Sequence, residues 1–224
     1  MYSTELFLIR DLDLSYNKIK DIVNLEGLKV LEKLYLACNK VSVISNLSGL
    51  AHLTILELGG NRIKEIQGLD SLQSLEELYL GKNKIERFQN LNNLQNLRIL
   101  SIQSNQITSL SGLEDLSSLE ELYLSHNCIE KLEHLEHNTN LKILDVGTNS
   151  VGKIENISHL QNLEEFWANN NKITVFQDIL HLKNMKQLKT VYLEGNPIAT
   201  DTQYRTKLKL NLPQLEQIDA TLTR

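Results

Sequence analysis

Apolar residues recur along this chain in a short, strict pattern. Residues 75 to 96 read LEELYLGKNKIERFQNLNNLQN, and residues 97 to 118 read LRILSIQSNQITSLSGLEDLSS. Both fit L-x-x-L-x-L-x-x-N-x-I-x-x-I-x-x-L-x-x-L-x-x. The first part alternates. Leu78 and Leu80 point inward from a short strand, and the residues between them point out. The second part places Ile85, Phe88, Leu91 and Leu94 at every third position. That is the period of a tight 3-10 turn, whose side chains at i and i+3 eclipse.

The unit repeats in register. Asn17, Asn39, Asn61, Asn83, Asn105, Asn127, Asn149 and Asn171 stand 22 residues apart, and Asn196 follows after 25. A fixed period of this length marks a stacked-repeat architecture. This is the leucine-rich repeat, and it runs from Ile9 to the end of the chain. One coil cannot bury its own apolar residues; stacked coils bury them in a continuous core and join their strands into one sheet. The predicted fold is α/β: a right-handed leucine-rich-repeat solenoid of nine coils. It has a concave parallel β-sheet, short convex 3-10 or α turns and a C-terminal capping helix. It is one domain, with residues 1–8 an incomplete N-terminal edge, 9–199 the repeats and 200–224 the cap. The ladder asparagines are structural. An amide side chain both donates and accepts, so it can satisfy turn backbone that would otherwise be buried and unpaired.

The ends and one irregularity need their own reading. Tyr204, Leu208 and Leu212 fall at helical spacing before Pro213, which predicts a capping helix over 200–212 with Leu215 and Ile218 as a further apolar edge. The N-terminal side offers no such device, so Leu12 and Leu14 are expected to be poorly covered, as in a chain that lacks earlier repeats. The three extra residues before Asn196 are expected near Lys183–Gln187, bulging on the convex side.

Composition narrows the function classes. The net charge is −5, and no run of five like charges occurs, which argues against nucleic acid. Cys38 and Cys128 match no metal-ligand spacing and fit a reducing compartment. The start, MYSTELFLIRDLDL, does not read as a signal peptide, and no later stretch is long and apolar enough to span a membrane. Nucleus and cytoplasm are the expected locations.

The residue between the two inward leucines of each strand faces the concave side. Coil by coil it is Asp13, Tyr35, Glu57, Tyr79, Ser101, Tyr123, Asp145, Trp167 and Tyr192. Five of the eight Tyr and Trp residues lie in this row, in a chain with only 5% aromatics. Strand preference alone would place aromatics in strands, but clustered exposed Tyr and Trp are what binding hot spots are made of. At about 4.8 Å per strand the row is roughly 40 Å long, the scale of a protein partner. Acidic residues outnumber basic ones on this face, including the recurring pairs Glu76-Glu77, Glu120-Glu121 and Glu164-Glu165, so a basic partner surface is expected. For any single Glu, a solvated face is the better account.

Catalytic signals are weak. Paired carboxylates on an open sheet lack a water-excluding pocket to tune them. His134 and His137 are three apart but have no third ligand in sequence reach. No phosphate loop, nucleophile elbow or G-x-G-x-x-G occurs. No enzyme activity, cofactor or metal is expected.

Three stretches carry a finer resemblance: ENISHLQNLEEFWANNNKI (155–173), VYLEGNP (191–197) and YRTKLKLNLPQLEQIDAT (204–221). With them the chain resembles the leucine-rich-repeat regulatory subunits of protein phosphatase 1, the subunit 7 family. The resemblance implies a regulatory subunit that binds the phosphatase catalytic subunit on the concave face; on its own the chain is expected to be a monomer. It implies control of phosphatase activity, maturation and a nuclear role in mitosis, with a second inhibitor protein as a further partner and no membrane. It points to Asp13, Tyr35, Glu57, Tyr79, Glu165, Trp167 and Tyr192 as binding residues, and Tyr35 and Tyr79 stand where the family is expected to carry Phe. Periodicity adds Tyr123 and Asp145. The alternative is an adaptor of similar repeats for another partner, such as dynein, a ciliary or a spliceosomal protein.

Overall fold

The computed structural model describes residues 8–223. Its strands are three residues each at the same place in every repeat: β1 Asp11–Asp13, β2 Lys33–Tyr35, β3 Ile55–Glu57, β4 Glu77–Tyr79, β5 Ile99–Ser101, β6 Glu121–Tyr123, β7 Ile143–Asp145, β8 Glu165–Trp167 and β9 Thr190–Tyr192. Two shorter ones, β10 Gln217–Ile218 and β11 Thr221–Leu222, follow the helix α1, Tyr204–Asn211. All form one sheet in chain order. β1 to β10 pair in parallel, and β11 turns back antiparallel on β10. The solenoid expected from the repeat is therefore present.

Register explains the core. The middle residue of each strand pairs with the middle residue of the next, so Leu34, Leu56, Leu78, Leu100, Leu122, Leu144, Phe166 and Val191 form one buried row. The apolar triplet positions line the opposite wall of the same cluster. The convex arcs are mostly successive turns rather than helices. Leu94 N–H donates to Leu91 O at 2.9 Å and Leu97 N–H to Leu94 O at 3.1 Å, and neighbouring coils repeat this. At the N-terminal edge Ile9, Leu12, Leu14 and Ile19 are only partly buried, as the uncovered leucines implied.

The asparagine ladder works across coils. Asn105 Nδ2 donates to Leu80 O of the preceding coil at 3.0 Å and to Ile102 O and Gln103 O of its own. Its Oδ1 accepts Ile85 N–H of the preceding coil at 2.9 Å. Asn39, Asn61, Asn83, Asn127, Asn149 and Asn171 do the same. In the first coil, Asn17 donates to Leu14 O and Ser15 O of its own coil.

Two expectations need correction. The extra triplet does not fall at Lys183–Gln187. Met185 and Leu188 N–H groups donate to Leu182 O and Met185 O, the same turn bonds that Leu94 and Leu97 make, so this stretch is regular. The additional residues lie upstream, in a 3-10 helix over Phe176–Leu182 that buries Ile179 and Leu182. The cap also differs from one helix over 200–212. Pro197–Thr200 is a separate 3-10 turn, α1 starts at Tyr204, and Ile218 carries the sheet onward as a tenth rung, itself buried. Asp219 secures this end: its Oδ1 accepts Leu193 N–H at 2.8 Å and Glu194 N–H at 2.9 Å.

One core position breaks the leucine pattern. Asn138 occupies the slot of Leu94 and Leu116 and is fully buried. Its Nδ2 donates to Leu113 O and Leu116 O at 3.0 Å, carbonyls that already accept backbone N–H groups. Its Oδ1 has no partner among the described residues. A buried unpaired polar atom costs about 1–3 kcal/mol. Asn138→Leu is therefore expected to stabilise the chain by roughly that amount, read as a higher urea midpoint; a lower midpoint would contradict the assignment.

Candidate functional site

The strand register sets the concave row. Asp13 pairs with Tyr35, Tyr35 with Glu57, Glu57 with Tyr79, Tyr79 with Ser101, Ser101 with Tyr123, Tyr123 with Asp145, Asp145 with Trp167, and Trp167 with Tyr192. All nine positions read from the sequence thus stand side by side at the same strand end. The parallel row one step upstream holds Ile55, Glu77, Ile99, Glu121, Ile143 and Glu165. The half-buried isoleucines at 55, 99 and 143 were not singled out from sequence. Their signal was available, since each stands two residues before a row position.

The acids of the row share one device. Asp13 Oδ1 accepts Ser15 N–H at 2.9 Å, Glu57 Oε1 accepts Gly59 N–H at 2.5 Å, and Asp145 Oδ1 accepts Gly147 N–H at 2.8 Å. Glycine leaves space for the neighbouring side chains at the latter two. A Cβ on Gly59 would lie 2.7 Å from Glu57 Oε1, and one on Gly147 would lie 2.8 Å from Asn169 Oδ1. Asp145 departs from its expected role as an open contact: it is only 6% exposed.

Burial pushes the carboxyls of Glu57 and Asp145 above the ordinary range, and the glycine amides offset this in part. Asp13 goes the other way, lowered by its bonds to Ser15. A raised pKa means the folded chain binds the proton more readily than the unfolded chain. Stability from these two groups therefore rises as pH falls through their raised values and is reduced at neutral pH. Glu57→Gln with Asp145→Asn is expected to raise the thermal midpoint at about pH 7, with the gap over wild type closing toward about pH 4. A gap independent of pH would contradict it.

The aromatics of the row are held differently. Tyr79 Oη donates to Glu77 Oε2 at 2.7 Å, and Tyr123 Oη donates to Glu121 Oε2 at 2.7 Å. Trp167 Nε1 donates to Glu165 Oε2 at 3.1 Å. Trp167 and Tyr192 meet edge-on, with centroids 5.7 Å apart at 64°, and Tyr192 Oη accepts Gln217 Nε2 at 2.6 Å. Trp167, Asn169, Tyr192 and Glu194 line a hollow of about 330 Å³. A second hollow, about 390 Å³, lies at Tyr79 and is floored by Gly59 and Gly81.

Charge on this face is more self-compensated than composition suggests. Glu120 pairs with Arg98 at 3.1 Å and Lys142 at 2.7 Å, which hold its carboxyl down at about 2. Glu164 pairs with Lys189 at 3.4 Å, and Glu32 pairs with Arg10. These rim ladders tie one coil to the next. The central acids Glu57, Glu77, Glu121, Asp145 and Glu165 form no ion pair among the described residues, so the middle of the face has carboxylates without a paired cation. His134 Nδ1 lies 3.2 Å from Glu114 on the outer arc, and no group of three metal-binding side chains gathers among the described residues.

The family model for Leucine Rich repeats (2 copies) matches six overlapping stretches: residues 9–52, 29–71, 51–93, 73–117, 95–137 and 117–160. The chain belongs to the leucine-rich-repeat family. Within that family it is similar to protein phosphatase 1 regulatory subunit 7 of Homo sapiens, 60% identical over 37 residues, which cover 16% of this chain and 10% of that protein. Protein phosphatase 1 regulatory subunit SDS22 of Saccharomyces cerevisiae is 56% identical over 41 residues, 17% of this chain and 12% of its own length. The matched segments span about a tenth of these curated relatives. Among solved structures, a leucine-rich-repeat protein of Leptospira interrogans superposes with a TM-score of 0.83 at 31% identity, over 93% of this chain and 54% of that one. Internalin C2 of Listeria monocytogenes gives a TM-score of 0.67 at 28% identity, over 97% and 83%.

Proposed function

We propose that this leucine-rich-repeat chain is a non-catalytic regulatory subunit that binds the catalytic subunit of protein phosphatase 1 on its concave face. The observation that carries the reading is the 60% identical segment shared with relatives named as regulatory subunits of that phosphatase. The concave face supports it in physical terms. Rigid aromatics in a row, two hollows beside them and unpaired central carboxylates suit a partner surface with basic and apolar patches. Control of the phosphatase's activity and maturation, a second inhibitor protein in the complex, and work in nucleus and cytoplasm belong to the same proposal.

Size-exclusion chromatography of the chain mixed with the purified catalytic subunit tests it. A single 1:1 complex peak, with altered turnover of a phosphopeptide substrate, is the expected result. Two separate peaks at concentrations well above micromolar, where a specific complex would persist, would sink the phosphatase and leave the adaptor reading.

A further inference from the structure

The aromatic positions of the concave row are not equivalent. In β4 and β6 the strand reads Glu-Leu-Tyr, and in β8 Glu-Phe-Trp. Residues i and i+2 of a strand share a face, and in each of these three the upstream carboxylate accepts the hydrogen of the downstream ring. The bond recurs every second coil at the same register, at 2.7, 2.7 and 3.1 Å. In β2 the strand reads Lys-Leu-Tyr. Lys33 has no acceptor to offer, so Tyr35 cannot be tied in this way.

The tie does little for the core. Glu77 and Glu121 are half-buried on the open face and form no ion pair among the described residues, unlike Glu32, Glu120 and Glu164 of the rim. What the bond does is restrict a ring. An untethered tyrosine on an open sheet samples rotamers that binding must then freeze, and ordering such a side chain weakens binding. The carboxylate also occupies the phenol hydrogen, so a partner meets ring carbon and carboxylate rather than a free donor.

We propose that Glu77 and Glu121 are positioning residues for partner recognition: each acts through the tyrosine two residues on, holding Tyr79 and Tyr123 as preset anchors. The proposal rests on the reading of the concave face as the phosphatase-binding surface. It sets apart rim acids such as Glu120 and Glu164, which pair between coils, from Glu77, Glu121 and Glu165, which each hold the aromatic ring two residues on.

The test has a partner-free arm and a binding arm. In the first, tyrosine absorbance is followed in alkali for wild type and for Glu77→Ala with Glu121→Ala. Two tyrosines should ionise at lower pH in the variant; identical curves would show that the ties do not exist and overturn the proposal. In the second, calorimetry measures binding to the purified phosphatase catalytic subunit. The alanine pair should weaken binding by about 3- to 10-fold per tie, the range expected for one side chain left to be ordered. Glu77→Gln with Glu121→Gln, which keeps an acceptor, should recover most of it. In a Tyr79→Phe, Tyr123→Phe background the alanine pair should have no further effect. A loss that persists in the Phe background would mean the carboxylates touch the partner directly, and unchanged binding in the alanine pair would mean they do nothing; either overturns the proposal. If wild type itself does not bind, the phosphatase reading falls and the recognition role falls with it, while the alkaline curves still report whether the ties form.

Discussion

Trp167→Ala is expected to weaken binding of the phosphatase catalytic subunit by at least about 30-fold, the roughly 2 kcal/mol that defines a hot spot. Three features single out this residue. It is the largest side chain of the row, its indole N–H is already taken by Glu165, and its ring stands edge-on to Tyr192. It therefore offers a fixed apolar surface with little left to order on binding. It also walls the hollow shared with Asn169, Tyr192 and Glu194, so its removal takes away both the anchor and the depression beside it. The fold should survive, because the adjacent core rung is Phe166, which stays fully buried. The check is calorimetry with a thermal melt alongside. A variant that melts like wild type and binds within about threefold of it would remove Trp167 from the list of anchors.

Asn105→Ala is expected to be the most damaging single change to stability among those considered, costing roughly 2–4 kcal/mol. Four hydrogen bonds meet on that side chain, and two of them reach the preceding coil. Alanine would leave Ile85 N–H buried with no acceptor, and it would loosen one coil interface in a stack whose stability comes from such interfaces. Asn17→Ala serves as the internal control. Asn17 is exposed and, among the described residues, bonds only its own turn, so its loss should cost under about 1 kcal/mol. Urea denaturation of both variants decides it. Equal costs would mean the ladder does not tie coils together.

Much of this architecture is legible in the sequence because a fixed period converts sequence position into spatial position. Once Leu78 and Leu80 are read as inward, Tyr79 must face out, and the same offset places Trp167 and Tyr192 beside it. What the period cannot report is local depth. Asp13 and Asp145 hold identical repeat positions, yet one is exposed and the other buried, because their neighbouring coils differ. The rim ion pairs were in principle readable, since Arg98 and Glu120 are 22 residues apart, but only once charges as well as leucines are followed along the repeat. The extra triplet was misplaced because Phe176, Ile179, Leu182, Met185 and Leu188 keep one unbroken every-third spacing. No apolar pattern marks which of those triplets is the additional one. The backbone bonds do, by showing that the turns from Leu182 onward are regular.

The repeat fold and the similarity to phosphatase regulatory subunits meet in one claim, that the concave face is where the catalytic subunit sits. Site-specific photo-crosslinking tests it most directly. A photo-reactive phenylalanine would replace Ser101, at the centre of the row, and in a second sample Asn93, exposed on the outer arc. The concave-face account predicts a crosslink to the catalytic subunit from position 101 and none from position 93. A crosslink from 93 alone would place the partner on the convex side and contradict the account.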